Sequence, residues 1–170
     1  QVELQQFSTP PILAWLMAKA ASLRSPDHIL EPSAGNGALA LWGGVRDCSM
    51  TLNEIDRARR DALAHIFPCA RLSGHDGELI AELANGPSPS VILMNPPFAR
   101  SRERGVDGRT AMRHLRSALR ICVSGGRLVA ILPDSFDAMA FVEEQDQASL
   151  LLNVRLSGAF SRSGTRIAVK

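Results

Sequence analysis

Asn95-Pro96-Pro97-Phe98 directly follows the apolar run Val91-Ile92-Leu93-Met94. A short buried strand ending there delivers a carboxamide, two rigid prolines and an aromatic ring to one edge of a sheet. The Asn95 side-chain carbonyl and the Pro96 main-chain carbonyl can both accept hydrogen bonds from one exocyclic NH₂ group. The Phe98 ring can stack on a planar heterocycle. Pro96 and Pro97 fix φ at about −65° and have no N–H to compete for the acceptors. The bland alternative is an ordinary strand exit, so the rest of the chain has to supply a partner for the chemistry.

A partner lies upstream. Ile29-Leu30 leads into Glu31-Pro32-Ser33-Ala34-Gly35-Asn36-Gly37 and then Ala38-Leu39-Ala40-Leu41-Trp42. The order is strand, glycine turn, helix. Gly35 and Gly37 let the backbone turn tightly and approach a ligand, because neither has a Cβ in the way. Such a turn at a helix start is a general nucleotide-binding geometry. The full GxGxxG pattern and the Lys-Ser/Thr of a phosphate loop are both absent. Glu31 would repel a pyrophosphate, so the turn is expected to hold a ligand with a cationic group.

The bulk composition describes an ordinary globular chain: 170 residues, 45% hydrophobic, 21% charged, net charge +2. That length suits one domain with a sizeable core. The small net charge makes no case for nucleic acid, but its distribution is uneven. Arg100, Arg102, Arg104, Arg109, Arg113, Arg116 and Arg120 face only Glu103 and Asp107 between positions 100 and 120. Such a cluster can guide a phosphate backbone. Arg113, Arg116 and Arg120 equally describe a solvated helix face.

Cys48, Cys69 and Cys122 form no CxxC pair, so neither a metal site nor a disulfide framework is expected. Buried thiols in a reducing cytoplasm are the simpler reading. No apolar run approaches the ~20 residues of a membrane span, and no signal-peptide pattern opens the chain. A cytoplasmic location is the expectation.

The elements that must position these residues follow from periodicity. Thr9 can cap a helix starting at Pro10-Pro11, with Leu13, Leu16, Met17, Ala20 and Leu23 at helical spacing. Strands are expected at 28–31, 50–55, 70–73, 91–94 and 127–132. Helices are expected at 37–42, after an Asp56 cap, at 78–83, from Met112 to Cys122, and at 138–152. Residues 99–109 have no periodicity and read as a mobile loop. Two further strands, 154–160 and 165–169, are joined by a short connection that implies an antiparallel pair. Strands alternating with helices predict an α/β fold, a doubly wound and mostly parallel sheet of seven strands with helices on both faces. Trp15 and Trp42 fall at core-compatible positions. The chain stops within an apolar strand, as a fragment of a longer polypeptide would.

Three segments together resemble the class I S-adenosylmethionine-dependent methyltransferases that modify exocyclic amines, most closely the adenine-N6 DNA methyltransferases. They are Gln6-Phe7-Ser8-Thr9-Pro10, Glu31-Pro32-Ser33-Ala34-Gly35-Asn36-Gly37 and Asn95-Pro96-Pro97-Phe98, in that order. The N-terminal segment also looks like the methylase part of bacterial methylase–helicase fusions, which names a helicase as a candidate partner, although no helicase motif is present. The resemblance implies a Rossmann-like fold over residues 1–170 with S-adenosylmethionine as cofactor. It places Thr9 and Pro10 over the methionine end. Glu31, Pro32, Ser33, Ala34, Gly35, Asn36 and Gly37 would hold the amino group and sulfonium region. Glu54, 23 positions after Glu31, would take the ribose hydroxyls. Ile55 would pack on the cofactor's adenine, and Asp76 with Gly77 would meet its amine. Gly77 departs from the pattern, since many relatives carry a bulky residue there.

The same resemblance implies methyl transfer to adenine N6 in DNA. Asn95 and Pro96 would hold the target amine and Phe98 would stack on a base flipped from the duplex. Catalysis would come from orientation and placed dipoles, with no metal. Rival readings are another planar amine (guanine N2 or adenine in RNA, or a glutamine amide) and a non-catalytic binding module attached to a helicase. Asp56 reads more simply as a helix cap, Asp76 equally as a turn former, and His75 as exposed and inert.

Overall fold

The computed structural model describes residues 8–97, 99–101, 105–145 and 148–154, with backbone only at 99–101 and 105–109. The first four strands are β1 (His28–Glu31), β2 (Ser49–Asn53), β3 (Arg71–Ser73) and β4 (Val91–Met94). A hairpin, β5 (Ala99–Ser101) with β6 (Gly105–Asp107), precedes β7 (Arg127–Ala130). The helices are α1 (Pro11–Ala20), α2 (Ala40–Val45), α3 (Arg57–Ile66), α4 (Ile80–Leu83), α5 (Gly108–Ile121) and α6 (Ala138–Glu143).

The main sheet has the order β3-β2-β1-β4-β7. Every neighbour in it is parallel, with Ile29 opposite both Met50 and Val91, and Met94 opposite Ala130. Parallel strands covered on both sides read as continuous apolar runs, as Val91-Ile92-Leu93-Met94 does. Successive side chains point to opposite faces. Ile29, Met50, Leu52, Val91 and Leu93 therefore pack with α1, α2 and Leu63 of α3. Leu30, Ile92 and Met94 pack with Ile80, Ala111, Leu115, Ala118 and Phe141 on the other side. The chain adds β2 and β3 to one side of β1, then returns to place β4 on the other. That reversal opens a crevice beyond the carboxyl ends of β1 and β4, where open α/β sheets bind ligands.

Several expectations need correction. The main sheet has five strands among the described residues, where seven were expected. The C-terminal pair expected at 154–160 and 165–169 lies outside the described residues, apart from Val154, which is exposed and in no strand. Residues 99–109 were read as a loop but hold the β5–β6 hairpin and the first turn of α5. A three-residue strand is too short to show a period. The helix expected to run to Leu152 ends at Glu143, and Leu151 is 90% exposed. A helix needs a core to bury its apolar stripe, and Leu151 and Leu152 find none among the described residues. Trp15 is 38% exposed, with Lys19 Nζ 5.8 Å from its ring centre. Trp42 does pack against the core, while Cys69 is exposed. No helix among the described residues is long and apolar enough to cross a membrane.

Candidate active site

Glu31 ends β1 inside the protein, 2% exposed, where the Ala40 N–H of α2 donates to its Oε2 at 3.1 Å. Burial drives its pKa well above the ordinary glutamate value; the Ala40 N–H opposes the rise and the Glu54 carboxylate adds to it. No cation pairs with Glu31 among the described residues. An acid so placed suits a ligand that brings its own positive charge.

The turn after Glu31 is shaped by its glycines. Gly35 and Gly37 have φ of 58° and 79°, a region that strains other residues. A Cβ on Gly37 would lie 2.5 Å from Phe67 Cε2 and 2.9 Å from Leu63 Cδ2, so the turn sits directly on α3. At Gly35 a Cβ would meet nothing nearer than Arg59 Nη1 at 3.9 Å, which leaves that side open to a ligand.

Glu54, also buried, closes the turn. Its Oε2 accepts from the Gly35 N–H at 2.7 Å and its Oε1 from the Asp56 N–H at 2.8 Å. Asp56 caps α3 as expected, accepting from the Arg59 N–H at 2.9 Å. The neighbouring Ile55 side chain is 54% exposed, available as an apolar platform.

Asn53 is a residue that sequence reasoning passed over. It is buried at the end of β2, and its amide is fully engaged. Nδ2 donates to the Pro32 and His75 carbonyls, both at 2.9 Å. Oδ1 accepts from Ser73 Oγ at 2.8 Å and the His75 N–H at 2.9 Å. One side chain thus ties the loop after β1 to the loop after β3, which leads into Asp76. An Asn within an apolar strand was the available signal. Asp76 is exposed and accepts from the Glu78 N–H at 2.9 Å, starting a 3₁₀ turn over Gly77–Leu79.

Directly after β4, the Asn95 Nδ2 donates to Thr9 Oγ1 at 3.2 Å. Thr9 was expected to cap α1, but Pro10 occupies that position and no side chain caps the helix. The Thr9 hydroxyl serves Asn95 instead. With its NH₂ turned to Thr9, Asn95 directs its carbonyl the other way. Pro96 is buried and Pro97 partly so. Phe98, Arg102 and Arg104 lie outside the described residues, as do the Arg100 and Arg109 side chains and the Gln6-Phe7 pair.

The described arginines of α5 are paired. Arg113 forks onto Glu78, Nε to Oε2 at 2.7 Å and Nη2 to Oε1 at 2.9 Å. Arg116 bonds Glu144 and Arg120 bonds Glu82. This face of α5 is charge-compensated, and Arg113 and Arg116 do not stand free for phosphates.

Comparison with known proteins fits this geometry. No protein-family model matches the chain. It is 27% identical over 150 residues to the type II restriction enzyme and methyltransferase RM.BcgI of Heyndrickxia coagulans, covering 75% of this chain and 23% of that protein. It is 29% identical over 106 residues to ribosomal RNA small subunit methyltransferase C of Chromohalobacter salexigens, covering 61% and 31%. The chain thus spans less than a third of either relative. A crystal structure of a modification subunit assigned to a type I restriction enzyme of Vibrio vulnificus matches with TM-score 0.71 at 19% identity, over 96% of this chain and 43% of that one. The fold is an α/β Rossmann-like methyltransferase fold with a parallel sheet, and both sequence relatives carry the name methyltransferase.

Proposed function

We propose that the protein transfers a methyl group from S-adenosylmethionine to the exocyclic amine of a nucleobase, adenine N6 in DNA. The observation that carries this reading is the Asn95–Thr9 contact beside the buried Glu31 turn, on adjacent strands of one sheet edge. The residues fit the cofactor by their chemistry. Glu31, buried with no cation paired to it among the described residues, suits the methionine amino group, and the open side of Gly35 admits the ligand close to the backbone. Glu54 brings a carboxylate to the turn, an acceptor of the kind ribose hydroxyls need. Ile55 offers its face to adenine, and Asp76 and Gly77 line the far end.

When bound, the cofactor supplies a methyl group on a sulfonium; the amine lone pair forms the N–C bond as the C–S pair returns to sulfur, and the amine proton leaves to solvent. The chain's own residues orient the acceptor. Asn95 Oδ1 and the Pro96 carbonyl accept from the amine and point its lone pair, while Thr9 holds the Asn95 amide in place. Placed dipoles and orientation of this kind can lower a barrier without a covalent intermediate. Phe98 is assigned to stacking on the base. Arg100, Arg102, Arg104 and Arg109 are assigned to the phosphate backbone, with Arg113 and Arg116 secondary because Glu78 and Glu144 hold them.

A second reading, methylation of a base in RNA, is favoured by the similarity to a ribosomal RNA methyltransferase. One experiment separates the two. The protein is incubated with methyl-labelled cofactor and separate pools of DNA, RNA and protein, and the label is counted in each. Label in DNA as N6-methyladenine is expected; label confined to RNA or protein would replace the DNA reading.

A further inference from the structure

His114 lies on α5, the helix that follows the Asn95 segment and its hairpin, yet its ring reaches the cofactor side of the proposed site. It is 4% exposed, and its ring lies against the Gly77 backbone. A Cβ at Gly77 would lie 2.8 Å from His114 Nδ1, 2.9 Å from Cε1 and 3.0 Å from the Pro32 carbonyl oxygen. The first residue of the 3₁₀ turn is therefore wedged between this imidazole and the loop that follows Glu31. Only a residue without a Cβ fits the gap.

The surroundings make the wedge rigid. Arg113, one position earlier, forks onto Glu78, and Ser117 Oγ accepts from the Ala81 N–H at 3.0 Å. On the other side, Asn53 holds the Pro32 carbonyl and both backbone groups of His75. His114 is thus the contact through which α5 presses the Asp76–Gly77 corner toward Pro32. Burial also pushes its pKa down and Arg113 adds to the lowering; Glu78, Asp76 and a hydrogen bond to the Gly77 backbone pull the other way.

We infer that His114 is a positioning residue for the cofactor: with Gly77 it forms a matched large–small pair that sets the distance between the Asp76 corner and the loop after Glu31. The inference rests on the methyltransferase reading and extends it to a residue that touches neither reacting atom. Its imidazole transmits the position of α5, on the acceptor side, to the adenosine end of the cleft.

The test measures the dissociation constant of S-adenosylhomocysteine by calorimetry, with thermal unfolding of every variant alongside. His114→Ala is expected to weaken binding roughly tenfold, as a displaced corner would. His114→Asn, which keeps a planar group at the Nδ1 position, should retain most of the affinity. Gly77→Ala should weaken binding too, and Gly77→Ala/His114→Ala should bind more tightly than Gly77→Ala alone, because two of the three close contacts vanish. Affinity should recover in the double variant whether or not its unfolding temperature does. Unchanged affinity in His114→Ala, or additive losses in the double variant, would overturn the inference while leaving the proposed function standing. A wild-type chain that does not bind the probe at all would overturn both.

Discussion

The Asn95 amide and the Thr9 hydroxyl meet at 3.2 Å although 86 positions separate them in the chain. The contact fixes which way the amide carbonyl faces. Thr9→Val keeps the shape and removes the acceptor, so the amide is free to rotate. Methyl transfer at saturating cofactor should fall roughly tenfold, a larger loss than any in cofactor affinity. Asn95→Ala should abolish transfer with cofactor affinity within about threefold. Equal loss of turnover and affinity in either variant, by single-turnover kinetics and calorimetry, would move that residue into the cofactor pocket.

Glu31 predicts proton release on ligand binding. Its folded pKa is raised, so the folded state holds the proton over a range where the unfolded chain has lost it. The stability contribution is full below the ordinary value of 4.5 and is lost as pH rises from there toward the folded value. A cationic amino group restores the ionised form and expels the proton. Calorimetry in two buffers of unlike ionisation enthalpy should show that release at a pH between the ordinary value of 4.5 and the raised folded value. Glu31→Gln should remove it and weaken cofactor binding about 10- to 100-fold, the worth of a bond to a charged group. Buffer-independent heats in the wild type would mean that no proton moves.

Asn53 should matter to stability as much as a large core residue. Asn53→Ala removes four hydrogen bonds and strands the Pro32 and His75 groups, at a cost of about 2–4 kcal/mol in urea unfolding. Asn53→Asp keeps the outline but turns an acceptor toward two carbonyls that need a donor. It should be no better than alanine at neutral pH and should improve in acid, where the carboxyl regains a proton to donate.

At the opposite edge of the sheet, buried Asp27 accepts from the Arg24 N–H at 2.8 Å, Ser90 Oγ at 2.9 Å and Arg127 Nη2 at 2.6 Å. Burial alone would raise its pKa, but these donors and the Arg127 charge outweigh it and the net shift is downward. The unfolded chain then takes up the proton more readily. The stabilisation is full above the ordinary value of 3.8 and is lost as pH falls from there through the folded value. Asp27→Asn should lower stability near neutrality and flatten that acid limb in urea midpoints measured against pH. An unchanged limb would show that other carboxylates set it.

What could be read in advance, and what could not, divides along physical lines. Val91–Met94 was legible as a strand and Gly35–Gly37 as a turn, since apolar runs and φ preferences act within a few residues of chain. Asp56 was legible as a cap for the same reason. The hairpin at 99–107 escaped because a three-residue strand pairs before any period can appear.

From its sequence alone, this protein's five main-sheet strands, glycine turn and amide-proline corner could be located, because each is written in local backbone chemistry. The tertiary structure decided the partners: Thr9 for Asn95, Gly35 for Glu54, Pro32 and His75 for Asn53, Gly77 for His114, and carboxylates for the arginines of α5. A side chain's type states what it can bond. Only the packing of distant segments settles which donor or acceptor arrives within reach.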